Sequence, residues 1–244
     1  MKRSLLVTAA LLVAAVAPAA AAAQVLELGA TRTPLQAYLC PSTIPPANCK
    51  IVLTRATALE TIRDGLAYPT TVKKAGRIVA FTVGLSRLNS NATTARNDIS
   101  FLDHTYGGTT QLALTVLKPV GSRSQRRFKV AAQSPIFHVQ PYLGQVVQFP
   151  LQTTLPVVRG EVIALTTPTW APLLVLNQSN GRFAYRQSRT ANCGLPPSNS
   201  QAQLSLNQSA QYKCNYPGTR IEYSATEVTN PVAVNAIHAP DLGR

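Results

Sequence analysis

The amino-acid sequence predicts an all-β fold, a single antiparallel β-sandwich of jelly-roll-like type. Three observations carry that expectation. β-branched and aromatic residues alternate with period two from about residue 77 to 190, Gly, Pro and Asn punctuate the alternating runs, and no extended helical window separates them.

The chain opens with Lys2 and Arg3, continues through an apolar run over 5–16, and passes Pro18 into small residues ending at Ala23. That order of charge, apolar run and small-residue junction is a cleavable export signal. Residues 1–23 are therefore expected to be removed and the protein to be secreted, with the sandwich domain over 24–229 and an irregular tail over 230–244. The apolar run falls short of the roughly 20 residues that span a bilayer, so no transmembrane anchor is expected after cleavage.

Along the domain, 57–65 is read as holding one short helical turn. In 77–85, Val79, Phe81, Val83 and Leu85 share one strand face, and Leu112, Leu114 and Val116 do the same in the next strand. The segment 121–127 turns the chain, and Phe128, Val130 and Ala132 return. Val147, Phe149 and Leu151 form a further face, followed by Val162 and Ala164 after the turn at Gly160. A hairpin is expected from 173–176 through the Asn- and Gly-containing stretch 177–181 to Phe183 and Tyr185. Ile221, Tyr223 and Ala225 make the last strand.

Four cysteines, Cys40, Cys49, Cys193 and Cys214, form an even set in an exported chain, which favours disulfides over metal ligation. Three connectivities are open, and sequence proximity favours Cys40 with Cys49 and Cys193 with Cys214.

The sequence holds 23 Lys and Arg against nine Asp and Glu. Loss of Lys2 and Arg3 with the signal leaves 21 basic residues and a formal charge of +12. Such an excess attracts polyanions, here anionic polysaccharide or cell-wall polymer, and it also keeps a domain dispersed. The densest cluster, Arg123, Arg126, Arg127 and Lys129, falls at the expected hairpin tip. The export signal and the absence of interleaved aromatics argue against nucleic acid.

Catalytic signatures are missing: there is no Gly-x-Ser-x-Gly, no His-Glu-x-x-His and no phosphate-binding glycine loop, and no cofactor or metal motif. His104, His138 and His238 are the only histidines. Asp103 beside His104 is read as lying on a strand, where neighbours point to opposite faces and make no triad. Asp98 and Asp103 are likewise a poor glycosidase pair. Asn89, Asn91, Asn97 and Asp98 offer hard oxygens suited to calcium, but the same residues suit an Asn-rich turn. Trp170, in the proline-bracketed stretch 167–172, and Tyr106, before Gly107 and Gly108, are read as loop aromatics that plug an edge of the core or, less favoured, stack on a sugar ring.

The succession of a cysteine-bearing N-terminal segment, Gly-Arg-Ile-Val-Ala-Phe over 76–81, Leu-Ala-Leu-Thr-Val-Leu-Lys-Pro over 112–119 and Leu-Pro-Val-Val-Arg-Gly-Glu-Val-Ile-Ala-Leu over 155–165 resembles a group of uncharacterised secreted bacterial β-sandwich proteins. The resemblance implies the sandwich and no activity, so it transfers no site residue. Together these readings name no specific activity and favour a secreted, non-enzymatic β-sandwich, either structural or a binding module for cell-envelope or environmental polysaccharide or another anionic polymer, ahead of an extracellular hydrolase.

Overall fold

The computed structural model describes residues 22–39, 51–194 and 201–231. Almost all of the expected export signal, the Cys40 and Cys49 pair, and the tail beyond residue 231 lie outside the described residues. In chain order the described elements are β1 (Val25–Leu28), β2 (Leu53–Arg63), β3 (Leu66–Ala67), β4 (Gly76–Gly84), the helix α1 (Ala92–Tyr106), β5 (Gln111–Val120), β6 (Arg127–Gln133), β7 (Phe137–His138), β8 (Val146–Val157), β9 (Val162–Ala171), β10 (Leu174–Val175), β11 (Phe183–Gln187), β12 (Ser209–Gln211), β13 (Asn215–Pro217), β14 (Arg220–Ile221) and β15 (Tyr223–Thr229).

The fold is all-β and sandwich-like, with antiparallel sheets. One sheet runs β1-β15-β4-β8; the larger, curled one runs β12-β6-β5-β9-β2-β11-β13, with β3 added to β2 and β7 to β5. Phe81, Val83, Phe149, Tyr223 and Ala225 of the smaller sheet meet Leu112, Leu114, Ile163, Leu165 and Tyr185 of the larger across one buried core. On the far side of the large sheet, Leu59, Leu117, Phe128, Val130, Val162, Ala164 and Tyr212 form a second core. Strand β9 is therefore apolar on both faces, which explains its unbroken Val-Ile-Ala-Leu run.

Several sequence expectations are corrected. Residues 57–65 contain no helical turn: they continue β2 and enter a two-residue hairpin whose corner residues, Asp64 (φ 49°) and Gly65 (φ 80°), are both left-handed. Asp-Gly is the preferred pair for such a turn, whose twist matches the strands it joins. Strand β10 pairs with β14, not with β11, which instead joins β2 and β13. An irregularity between Ile78 and Ala80 turns Ile78 into the core and leaves Val79 half-buried, so the expected face is broken there.

The largest correction is α1. Asn91 caps it, its Oδ1 accepting from the backbone N–H of Thr93 and Thr94 at 2.9 and 3.0 Å, and Gly107 ends it at φ 83°. Ile99, Leu102 and Tyr106 pack against Trp170, Ile51 and Leu88. The Asn-rich stretch is a helix start and not an isolated turn.

Residues 30–39 cross the open end of the sandwich without regular structure. Gly84 makes room for them, because a Cβ at that position would collide with the Gln36 carbonyl oxygen. Gly84→Ala is expected to destabilise the domain by about 1–3 kcal/mol, the usual range for forcing an extra methyl into a filled site. Thermal denaturation checks this, and an unchanged midpoint would show that the segment yields freely.

Candidate functional site

The tight β2–β3 hairpin delivers Tyr68 to the outer side of the large sheet. Its N–H donates to the Thr61 carbonyl at 2.9 Å, and its own carbonyl accepts from Thr71 N–H at 3.1 Å. These bonds hold Tyr68 at φ 47°, a left-handed conformation that a tyrosine adopts only at an energetic cost.

Next to it, Ala184 pairs with Pro217 and with Ile62, and Arg186 pairs with Asn215. Side chains at alternate positions share a face. Ile62, Ala184, Arg186, Asn215 and Pro217 therefore face the same cleft, while Tyr185 and Tyr216 stack at 4.6 Å on the core side. Together with Thr61, Ala67, Tyr68, Arg126 and Asn180 they line a shallow cleft of about 330 Å³. A second cleft of about 270 Å³, lined by residues that include Glu27, Leu66 and Lys73, lies on the other side of Ala67 and Tyr68, which border both.

One buried residue positions both arginines of the cleft. The Tyr212 N–H donates to the carbonyl of Arg126 at 2.9 Å, and the Tyr212 carbonyl accepts from Arg186 Nη1 at 3.0 Å; Lys213 supplies a second carbonyl at 2.9 Å. Tyr212 is anchored in turn by a bond from its hydroxyl to Gln203 Oε1 and by an edge contact with Phe128 at 5.1 Å. Two residues on, the Cys193–Cys214 disulfide is formed as expected, with a Cα–Cα distance of 5.3 Å across a separation of 21 residues. A bridge of that span stabilises by about 3 kcal/mol in the chain-entropy picture. Partial burial lowers the Arg186 guanidinium below its ordinary value, and Arg126 lowers it further, while Tyr68 opposes the shift. Arg186 stays protonated, since a guanidinium does not lose its proton in a protein.

The basic cluster sits where the sequence places it, at the β5–β6 hairpin, and is only partly gathered into the cleft. Arg123 opens a short 3-10 turn, Arg123–Gln125. Arg126 (φ 46°) turns toward Arg186, whereas Arg127 is exposed and Lys129 half-buried on β6. Sequence reasoning missed Tyr68, Arg186, Asn180 and Asn215. The Asp-Gly turn pointed to Tyr68; no local signal points to Arg186, which meets Arg126 only through long-range pairing.

The two aromatics singled out in the sequence lie elsewhere. Trp170 is fully buried in β9, not in a loop, and its indole N–H donates to Asp103 Oδ1 at 2.9 Å and to the Gly108 carbonyl at 3.1 Å. Pro168 is tolerated in that strand because it lies opposite the irregularity between Thr54 and Ala56, where Arg55 takes φ 41°. Tyr106 is half-buried against Trp170. Trp170 offers no open ring face to a sugar. Asp103 and His104 sit on α1 and not on a strand; Asp103 also accepts from Gln140 Nε2 at 3.2 Å, and His104 is exposed. Asn89 Oδ1 accepts from the Asn91 N–H at 2.9 Å, so both side chains serve the helix start.

A second concentration of charge is buried inside the sandwich mouth. Arg63 pairs with Glu60 at 3.2 Å and Arg220 with Glu222 at 3.1 Å, all four being almost wholly inaccessible. Residues 30–39 seal it: Gln36 N–H donates to Glu222 Oε2 at 3.1 Å, Arg220 Nη2 donates to the carbonyls of Thr33 and Pro34, and Thr33 bonds to Asp64. Burial pushes Glu60 up to about 8 against the pull of Arg63 and Arg220, and Glu222 up to about 7 against Arg220. These carboxyls are committed to the closing segment and to the arginines.

Among the described residues no group of three or more His, Cys, Asp or Glu is placed to hold a metal ion, and no helix is long and apolar enough to cross a membrane. Comparison of the chain with protein-family models, with curated proteins and with solved structures found no match.

Proposed function

We propose that this domain is a secreted, non-enzymatic binding module for an anionic polysaccharide or cell-wall polymer. The observation that supports it is the group of solvent-facing cations around the cleft. Glu60, Glu161, Glu222 and Glu227 are buried together with Arg63, Arg189 and Arg220, whereas Arg126, Arg127 and Lys213 face solvent around the cleft side of the large sheet and Arg182 pairs there with Asp64 at 2.7 Å. Among the described residues, burial removes nearly as many cations as acids, so the cationic excess of the composition stays on the surface. A field of that sign concentrates polyanions, and converging guanidiniums give it direction.

The test replaces Arg123, Arg126, Arg127 and Lys129 together by Ser and measures retention on an immobilised acidic polysaccharide. Arg126 and Arg127 are exposed and Lys129 is half-buried outside the cores, and substitutions at such positions carry little stability, so the variant is expected to fold as the parent does. Retention of the parent is expected to fall with salt, because screening shortens from about 8 Å at physiological ionic strength to about 3 Å at 1 M. The variant is expected to bind about tenfold more weakly at physiological salt, with a flatter salt dependence. Equal retention would reduce the cluster to a solubility device, and no retention of the parent on any acidic polymer would remove the binding reading altogether.

A further inference from the structure

We propose that the cleft between Tyr68 and Arg186 is a subsite for one anionic sugar residue of such a polymer, with its acidic group at Arg126 and Arg186 and the apolar face of its ring on Tyr68. The proposal rests on the polymer-binding reading and narrows it to one place and one ligand chemistry.

Three independent observations converge there. First, Arg126 and Arg186 line the same cleft, the Tyr212 N–H holding the Arg126 backbone carbonyl and the Tyr212 carbonyl holding the Arg186 guanidinium, yet no described carboxylate lies within ion-pair distance of either. Bringing two like charges together without a counter-charge is unfavourable in the empty protein and becomes favourable when an anion enters. Guanidinium forks suit the planar, two-oxygen edge of a carboxylate and equally the oxygens of a sulfate or phosphate ester.

Second, Tyr68 is 38% exposed beside the cleft and belongs to none of the described core clusters. Its left-handed φ suits glycine or asparagine better than tyrosine, and Arg126, at φ 46°, shows the same conflict. Two residues with left-handed backbones at the rim of one cleft are the kind of strain that functional constraint leaves.

Third, the remaining walls match a sugar and not a bare ion. Asn180 and Asn215 bring side-chain amides that can donate to and accept from hydroxyls, and Ala67 leaves the floor open beside Tyr68. The cleft is at the small end of the roughly 300–1,000 Å³ found for ligand pockets, as a single sugar residue requires. The second cleft beyond Tyr68 gives a neighbouring residue of the polymer somewhere to lie. Glu27 borders that second cleft, but its two carboxylate oxygens accept from the hydroxyls of Ser224 and Thr226. Single-stranded nucleic acid would also stack on an aromatic ring, but it uses successive platforms, and Tyr68 is the one aromatic lining these two clefts.

Calorimetric titration at physiological salt decides the matter. The probes are an oligogalacturonate, its neutral methyl ester, a sulfated chondroitin oligosaccharide and single-stranded DNA; the proteins are the parent, Tyr68→Gly and Ala67→Trp. Tyr68→Gly relaxes the backbone, and Ala67→Trp fills the cleft at an exposed position without changing charge. The parent is expected to bind at least one acidic oligosaccharide at least tenfold more tightly than the neutral ester, and both variants are expected to lose at least tenfold while melting no lower than a few degrees below the parent. Which of the two acidic probes binds names the anion as carboxylate or sulfate. If the parent binds an acidic probe but both variants bind it equally well, the subsite is overturned while the polymer-binding reading stands. If the parent binds neither acidic probe, both readings fail. Tyr68-dependent binding of DNA that exceeds that of every oligosaccharide overturns the sugar assignment in favour of nucleic acid.

Discussion

Replacing Arg220 by methionine is expected to destabilise the domain by about 3–5 kcal/mol, the cost of leaving the other half of a buried ion pair without its partner. For a domain of this size that corresponds to a fall in melting temperature of about 6–20 °C. Arg220 is 1% exposed, and its loss strands Glu222 together with the Thr33 and Pro34 carbonyls that close the sandwich mouth. The penalty is expected to be smaller at pH 5 than at pH 8, because Glu222, already raised to about 7 by burial, is then neutral. A second replacement, Glu222→Leu, in the same chain is expected to recover much of the loss, since a hydrophobic pair of similar volume often equals a buried ionic one. No loss in Arg220→Met, measured by urea denaturation, would mean that water enters the mouth and solvates the cluster.

The pH dependence of the parent has a definite sign. Glu60, held at about 8 by burial, keeps its proton in the folded state when the unfolded chain, near 4.5, has released it. The folded state therefore binds more protons between those values, and stability declines as pH rises from about 4.5 to about 8. Glu60→Gln is expected to flatten that decline, and identical slopes in variant and parent would sink the assignment.

Trp170→Ala is expected to cost about 3–5 kcal/mol through the cavity it leaves. The indole is fully buried, and its N–H is also the donor that satisfies Asp103 on α1. Asp103 is only half-buried and keeps its bond from Gln140 Nε2, so losing the indole donor adds little to that cost. Because Ile99, Leu102 and Tyr106 close on the same ring, the helix is expected to loosen before the sheets do. Hydrogen exchange along 92–106 measures this directly. Trp170→Phe keeps most of the volume and should recover most of the stability while leaving Asp103 with its bond from Gln140 alone. A Trp170→Ala protein within 1 kcal/mol of the parent would contradict the packing described here.

The strand faces around Leu112, Leu114, Phe128, Val130 and Ile221 were legible because burial in a sheet imposes a period of two on the chain itself. The Cys193 and Cys214 bridge was legible from spacing for a similar reason: close positions in sequence need little closure. Helix α1 was missed although Asn91, Gly107 and the spacing of Ile99, Leu102 and Tyr106 all signal it. Thr93, Thr94, Asn97 and Asp98 have weak helix propensity, and the partner that stabilises them, Trp170, is distant in sequence. Trp170 was misplaced because Pro168 reads locally as a loop, and only the irregularity in β2 opposite it lets a strand continue.

By itself the sequence determined the all-β class, most of the apolar faces and the basic character of the β5–β6 hairpin, and it favoured the pairing of Cys193 with Cys214 that the structure shows, all of which follow from local periodicity, charge and chain closure. Only the tertiary structure decided where the acids go and which cations meet. Glu60 and Glu222 are drawn inside by Arg63 and Arg220, and Arg126 finds Arg186 through the Tyr212 backbone across some 60 residues. No local pattern encodes such meetings, because they arise when strands far apart in the chain pair in one register, and a shift of one residue would turn each of these side chains to the opposite face.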